Sequence, residues 1–275
     1  MNSYLNQILA TIRSRNEAMK ATLGPNDADR LADQRPDRPR SFTSAVAAAS
    51  DKTMIIAEIK RASPSRGAIN LDIDPASLAR EYELGGATAI AVVTEQKYYR
   101  GSVTDMQEVR ESVQLPVLRN DFIIDPYQVS RSYGTGADAI QVIVPAVEDD
   151  AVLHQIFDTA ARLRLDVLTE VYSEEDAKRV LEIGKDSPNA LRLVGINCAN
   201  WDNVKIDLDR PARLAPIFPE STTLISHSGV RSRADIDRVR ASSPRITRFL
   251  VGEALVRATY PADFLSELLK DGPKE

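Results

Sequence analysis

Two charged residues, Glu58 and Lys60, stand two positions apart at the end of the apolar run MIIAEI (54–59). In an extended strand that spacing turns both side chains to one face. A carboxylate and an ammonium held together can move a proton or present charge to a ligand. Other polar groups end other apolar runs: Asn120 with Arg119 and Asp121 after LPVLR, Glu170 in LDVLTEV, Asn197 after LRLVGI and His227 in TTLISH. Each has a plain structural reading. Glu58 and Lys60 suit an ion pair, Glu170 a loop contact, His227 a hydrogen bond that supports its neighbours. Buried charge is costly unless paired or used. Carboxylate, amine, amide and imidazole at the ends of several runs therefore point to acid–base chemistry on a small polar molecule, with Glu170 and His227 as candidate acid and base.

A second group of residues suits an anion. KRASPSRG (60–67) is a polar loop with Ser63 inside it and Lys60 and Arg66 as cations. SHSGV (226–230) and VGEAL (251–255) place Ser228, Gly229 and Gly252 just past two apolar runs. Small residues leave backbone N–H groups open there, and a following helix aims its N-terminus at the anion, as in a phosphate site. Glu253 opposes an anion unless its side chain turns away. His154 falls inside a helical stretch and suits the surface. Cys198 suits packing better than nucleophilic attack, and Trp201 with Tyr98 or Tyr99 could wall a pocket.

The elements that must hold these residues recur regularly. Eight apolar runs cover 54–59, 87–93, 115–119, 137–144, 165–171, 191–196, 222–227 and 247–253. Most are continuous rather than alternating, as in strands buried on both faces. Helical stretches lie between them. PASLAREYELGG (75–86) follows the N-cap Asp74, DPYQVSRSYGTG (125–136) repeats that pattern, and SEEDAKRVLEIG (173–184) opens on Ser173. GGATAIAVV and GADAIQVIV echo one another as helix exit and strand. The pattern predicts an α/β protein, a (β/α)8 TIM barrel, whose chemistry belongs at the C-terminal strand ends. A doubly wound sheet is the structural alternative, but no GxGxxG follows an early strand.

Residues 1–50 are expected to form an N-terminal helical extension and linker, and 51–270 the barrel. Within the extension, GPNDADRLADQRPDRPRS reads as a mobile linker and SFTSAVAAAS as a short helix covering the barrel bottom; at the other end of the chain, the tail DGPKE reads as frayed. The formal charge of -5 argues against a nucleic-acid partner. One cysteine excludes an internal disulfide, and two histidines with it disfavour a zinc site. The first residues lack a signal-peptide pattern, and no run reaches the roughly 20 apolar residues of a membrane span. A cytoplasmic protein is expected, without metal, organic cofactor or membrane partner, as a monomer or homodimer.

IIAEIKRASPSRG (55–67) closely resembles the signature of indole-3-glycerol phosphate synthase. QKYYRGS (96–102), PVLRNDFIIDPYQV (116–129), TEVY (169–172), GIN (195–197), SHSGV and VGEAL resemble the family's further motifs in order, over roughly residues 50 to 270. The resemblance implies a phosphate-binding (β/α)8 barrel with an extra N-terminal helix. It implies a carboxy-lyase and cyclase that converts 1-(2-carboxyphenylamino)-1-deoxyribulose 5-phosphate to indole-3-glycerol phosphate, losing CO2 and water without metal or cofactor. By resemblance Lys60 contacts substrate and assists catalysis, Glu58 lies near the reacting amine, and Glu170 is acid or base. Asn197 holds the sugar-phosphate part and Ser63 is a serine of the substrate loop; Ser228, Gly229 and Gly252 cradle the phosphate.

Three positions depart from the family's pattern. Asn120 stands where LRKDF has the lysine expected as general acid. His227 replaces the glutamate of SESG. Ala199 replaces the arginine of GINNR, which would help hold the anthranilate carboxylate. Arg119 or Lys97 is expected to compensate for Asn120. The expected activity is the family's ring closure on a 1-amino-1-deoxyribulose 5-phosphate type substrate. The alternatives are a divergent enzyme of a specialised pathway, acting on a sugar phosphate without that carboxylate, and a catalytically silent phosphate-binding protein.

Overall fold

A computed structural model describes residues 3–24, 26–48, 51–200 and 205–270. The eight apolar runs become eight strands: β1 (Met54–Ile59), β4 (Ala89–Val93), β5 (Val117–Asn120), β6 (Ala139–Ile143), β7 (Asp166–Val171), β8 (Leu193–Asn197), β9 (Thr223–His227) and β10 (Arg248–Val251). Two short strands, β2 (Ala62–Ser63) and β3 (Gly67–Ala68), form a hairpin within the loop after β1. The eight close into a parallel barrel, with β1 paired to β4 on one side and β10 on the other.

The helices begin where short polar side chains can satisfy free backbone N–H groups. Asp74 accepts the N–H of Ser77 at 3.1 Å ahead of α4 (Pro75–Leu84), and Asp125 accepts that of Tyr127 at 2.9 Å ahead of α6 (Pro126–Gly134). Ser173 and Asp176 form a reciprocal capping box at α8 (Glu174–Asp186). The outer faces of the strands carry the large aliphatic core shared with these helices.

Inside the barrel the two-residue period stacks distinct layers. The floor consists of Ile56, Ala91, Leu118, Ala139, Leu168, Leu193, Ile225 and Leu250. Helix α3 (Phe42–Val46) closes it from below with Phe42 and Val46, as expected of SFTSAVAAAS. Two residues further along the strands the inward positions become polar: Glu58, Asn120, Gln141, Glu170 and His227, with glycines at 195 and 252. Fold and floor thus place the polar layer at the C-terminal mouth.

Helix α1 (Ser3–Leu23) lies across that mouth. Leu5, Ile8, Leu9 and Ile12 pack on Phe122, Ile143 and Ala146. The stretch expected to be a mobile linker instead contains α2 (Asp27–Asp33), and two arginines clamp the residues C-terminal to that helix. Arg35 donates to the carbonyls of Tyr133 and Ala137 at 3.1 and 2.6 Å, and pairs with buried Asp138 at 3.4 Å. Arg40 donates to the carbonyls of Val113 and Leu115, both at 2.9 Å. These contacts satisfy carbonyls at element ends, which offsets the entropy of ordering a charged segment. The boundary at residues 49–50 and the tail DGPKE lie outside the described residues. No helix among the described residues is long and apolar enough to cross a membrane.

Candidate active site

Alternation along β1 turns Ile56, Glu58 and Lys60 inward. Glu58 is buried, and both its oxygens are occupied. Lys60 Nζ donates to Oε2 at 2.5 Å, and Asn120 Nδ2 donates to Oε1 at 2.8 Å. Gly252 at the end of β10 makes room for this group. A Cβ there would stand 2.0 Å from Oε2 of Glu58.

Across the mouth, Glu170 forms a second cluster. Its Oε1 accepts hydrogen bonds from the Tyr172 hydroxyl and from Asn197 Nδ2 at 3.2 Å. Its Oε2 accepts from Gln141 Nε2 at 2.8 Å and lies against Nδ1 of His227 as a close charge contact. Burial alone would raise the Glu170 carboxyl, but the His227 charge and the bonds from Tyr172 and Asn197 outweigh it and hold it below the ordinary value. Burial likewise favours neutral His227. The carboxylate of Glu170, helped by Glu58 and opposed by Lys60, nevertheless keeps the imidazole proton bound above the ordinary histidine value. The two form a carboxylate–imidazolium pair. With Nδ1 facing Glu170, Nε2 is the ring nitrogen left for a ligand.

The third cluster lies after β9 and β10. Ser228 and Gly229 both take positive φ, 68° and 92°, so the chain turns sharply at the cavity rim. A side chain at Gly229 would also collide with Ile206, its Cβ 2.5 Å from Cγ2. Gly252 leads into the short helix α11 (Glu253–Arg257). Glu253, awkward beside an anion, is neutralised by Arg66 at 3.3 Å and Arg257 at 3.1 Å. Ser63, on the hairpin, has its hydroxyl 3.2 Å from that of Ser65.

One cavity of about 480 Å³ joins the three clusters, a volume suited to a small metabolite. Glu58, Lys60, Ser63, Asn120, Glu170, Asn197, His227, Ser228, Gly229 and Gly252 all line it. These ten residues, expected at the site from the sequence, are therefore gathered there. Ala199 lines it too, and Arg210 donates at 2.8 Å to the Ala199 carbonyl from behind.

The expected compensators of Asn120 point elsewhere. Arg119 faces out of the barrel, as the neighbour of an inward residue must. It donates to Thr94 Oγ1 and Ser132 Oγ, both at 3.0 Å, and to Asp121 Oδ2 at 2.7 Å. Lys97 covers the Tyr98 ring, 5.1 Å from its centroid. Tyr99, not Tyr98, lines the cavity. Trp201 lies outside the described residues. Cys198 is fully buried near Ser226, and burial pushes its thiol up to about 11, which suits packing. His154 sits on α7 (Asp150–Arg162), its Nδ1 3.2 Å from Ser187 Oγ, away from the mouth.

Sequence reasoning missed Gln141, Tyr172 and Glu95 as cavity residues. Gln141 had a signal, being a polar residue two steps after inward Ala139. Glu95 organises the loop after β4, its carboxylate accepting the backbone N–H groups of Lys97, Tyr98 and Tyr99 at 2.6 to 2.9 Å.

Comparison with known proteins gives a consistent result. A family model described as "Indole-3-glycerol phosphate synthase" matches residues 5–268. The protein of that name from Koribacter versatilis is 36% identical over 270 residues, covering 98% of this chain and 100% of its own length. That from Leifsonia xyli subsp. xyli is 40% identical over 249 residues, covering 86% of this chain and 92% of its own. Among solved structures, a 3-hexulose-6-phosphate synthase superposes with a TM-score of 0.58 at 17% identity, over 78% of this chain and 97% of that one, a likeness of fold alone.

Proposed function

The chain belongs to the indole-3-glycerol phosphate synthase family, and from that premise we propose that it is a lyase closing a ring on a 1-amino-1-deoxyribulose 5-phosphate type substrate. The observation that carries this reading is the Glu170–His227 pair facing the same cavity as the Ser228–Gly229–Gly252 turn. In the proposed reaction a ring carbon of the arylamine attacks the C2 carbonyl. A C–C bond forms, and the carbonyl oxygen takes a proton from Nε2 of His227. The ring regains aromaticity by losing the group on the attacking ring carbon, CO2 from a carboxylate or H+ from a C–H. The new hydroxyl then departs as water with a second proton, taken up from solvent, while a proton of the former C1 methylene passes to Glu170, so that the indole keeps its N–H.

In this reading Lys60 and Asn120 position Glu58 beside the amine, Asn120 donating a hydrogen bond to it without delivering a proton. Ser63 and Asn197 hold the ketose chain. Ser228, Gly229 and Gly252 receive the phosphate through backbone N–H groups. A cytoplasmic monomer or homodimer fits this reading, and light scattering on the purified chain checks the oligomeric part.

A substrate without the anthranilate carboxylate is favoured by one observation. Arg119 and Lys97 turn away from Asn120, and Arg210 is held by main-chain carbonyls behind Ala199. The general-acid lysine expected at 120 and the carboxylate-holding arginine expected at 199 thus have no replacement from those three side chains. The test is turnover of 1-(2-carboxyphenylamino)-1-deoxyribulose 5-phosphate, followed by indole fluorescence and product mass. Turnover of about 1 s⁻¹ or faster makes this an ordinary synthase and sinks the altered-substrate version. No turnover, with binding of ribulose 5-phosphate, supports it. Absence of both turnover and binding overturns the sugar-phosphate reading. A silent phosphate-binding protein would bind phosphate ligands yet convert none of the arylamino ketose phosphates, carboxylated or not.

A further inference from the structure

Two amide groups in the polar layer have oxygens left over. Gln141 is 2% exposed and lines the cavity, and its Oε1 has no hydrogen-bond partner among the described residues. The amide cannot simply be turned round. Nε2 faces Oε2 of Glu170, and an ionised carboxylate only accepts, so a flip would set two acceptors against each other. Asn120 is oriented by the same logic. Its Nδ2 donates to Glu58, which leaves Oδ1 as the atom free to meet a ligand. The two amides are neighbours. Leu118 of β5 pairs with Ala139 of β6, and Asn120 and Gln141 each lie two residues further along, on the same inward face.

Native proteins seldom leave a buried acceptor empty, because its desolvation is then uncompensated. Its place in a cavity wall indicates that a ligand supplies the donor. The flanking groups, Glu58 and Glu170, are also acceptors. We infer that Asn120 Oδ1 and Gln141 Oε1 form a recognition site for a hydrogen-bond-donating substituent of the aryl half, such as a carboxamide or amine, carried on a ring carbon other than the one that attacks. A carboxylate at this wall meets oxygen against oxygen, whereas a donor group satisfies two amides at once. This rests on the reading that the substrate's phosphate occupies the Ser228–Gly229–Gly252 end, and it names the feature that the aryl half must carry.

The test uses three unreactive ligands that differ in one ring substituent. They are the 1-phenylamino, 1-(2-carboxyphenylamino) and 1-(2-carbamoylphenylamino) derivatives of 1-deoxyribitol 5-phosphate, which lack the carbonyl and do not turn over. Titration calorimetry on the wild-type protein should show the carbamoyl compound bound at least roughly tenfold more tightly than the carboxy compound. Gln141→Met, which keeps the volume and removes the acceptor, should bring the carbamoyl compound down to the level of the phenyl compound. Carboxy binding equal to or tighter than carbamoyl binding in the wild type overturns the inference, whether or not the variant folds. A folded variant that keeps the carbamoyl preference overturns it too. In both cases retained binding of the phenyl compound leaves the phosphate reading standing. If the phenyl compound itself fails to bind, the phosphate reading falls and this inference falls with it.

Discussion

Asn120 Nδ2 donates to Oε1 of Glu58 at 2.8 Å, so the amide occupies one side of the carboxylate while Lys60 occupies the other. The position keeps a contact to Glu58 but contributes no charge and no transferable proton. Asn120→Lys would add both. Loss or gain of a general acid changes rates by roughly 10²–10⁴. We expect this variant to raise turnover of the carboxylated ketose phosphate at least about tenfold, measured by indole fluorescence. Unchanged turnover would show that position 120 does not limit the chemistry.

The Glu170–His227 pair makes a separate prediction. Glu170→Gln removes the carboxylate that keeps the imidazole protonated, while Gln141 and Tyr172 keep polar neighbours. Turnover of the true substrate should fall by about 10²–10⁴, and the His227 titration followed by NMR should move down towards or below its ordinary value. A fall in rate with no movement of the His227 titration would place Glu170 in catalysis without this partnership.

Stability should depend on pH through the same pair. His227 has its pKa raised on folding, so its contribution is complete below its ordinary value of 6.5 and is lost as pH rises through the folded value. Glu170 has its pKa depressed, so its contribution is complete above 4.5 and is lost as pH falls through its folded value. The pair stabilises most between those limits and fades on either side. Thermal melts of His227→Gln and the wild-type protein should converge as pH rises above 6.5. A constant difference from pH 5 to 9 would contradict the pairing, since the ordinary histidine value of about 6.5 lies within that range.

Much of the barrel was legible because its signals are local. Continuous apolar runs, N-caps at Asp74 and Ser173, and glycines after helices need no distant partner. The site was legible to the extent that strand parity reports direction, which brought Glu58, Asn120, Glu170, Asn197 and His227 to one mouth. Parity also contained the fate of Arg119, since an inward Asn120 forces its neighbour outward. Gln141 was hidden inside ADAIQVIV, where a run read as uniformly apolar masks one polar inward position. The pairing of Glu253 with Arg66 joins residues far apart in the chain, and no local pattern encodes it. The charged segment after α1 misled for the same reason, because its arginines are satisfied by carbonyls roughly 70 to 100 residues away.

That segment supplies the last prediction. The Arg35 side chain is 1% exposed, donates to two main-chain carbonyls and pairs with Asp138, whose side chain is fully buried. Arg110 and the backbone N–H groups of Arg40 and Val117 also reach Asp138, so its charge is not abandoned when Arg35 is removed. Arg35→Ala should therefore cost about 1.5–3 kcal/mol, the range for hydrogen bonds to charged groups, rather than the larger penalty of an unpaired buried ion. For a chain of this size that corresponds to a melting-temperature drop of about 3–5 °C by calorimetry. The change lies at the opposite end of the barrel from the cavity, so affinity for ribulose 5-phosphate should stay unchanged. A melting temperature equal to that of the wild type would mean that the clamp adds nothing, and that the segment after α2 is ordered by its apolar contacts alone.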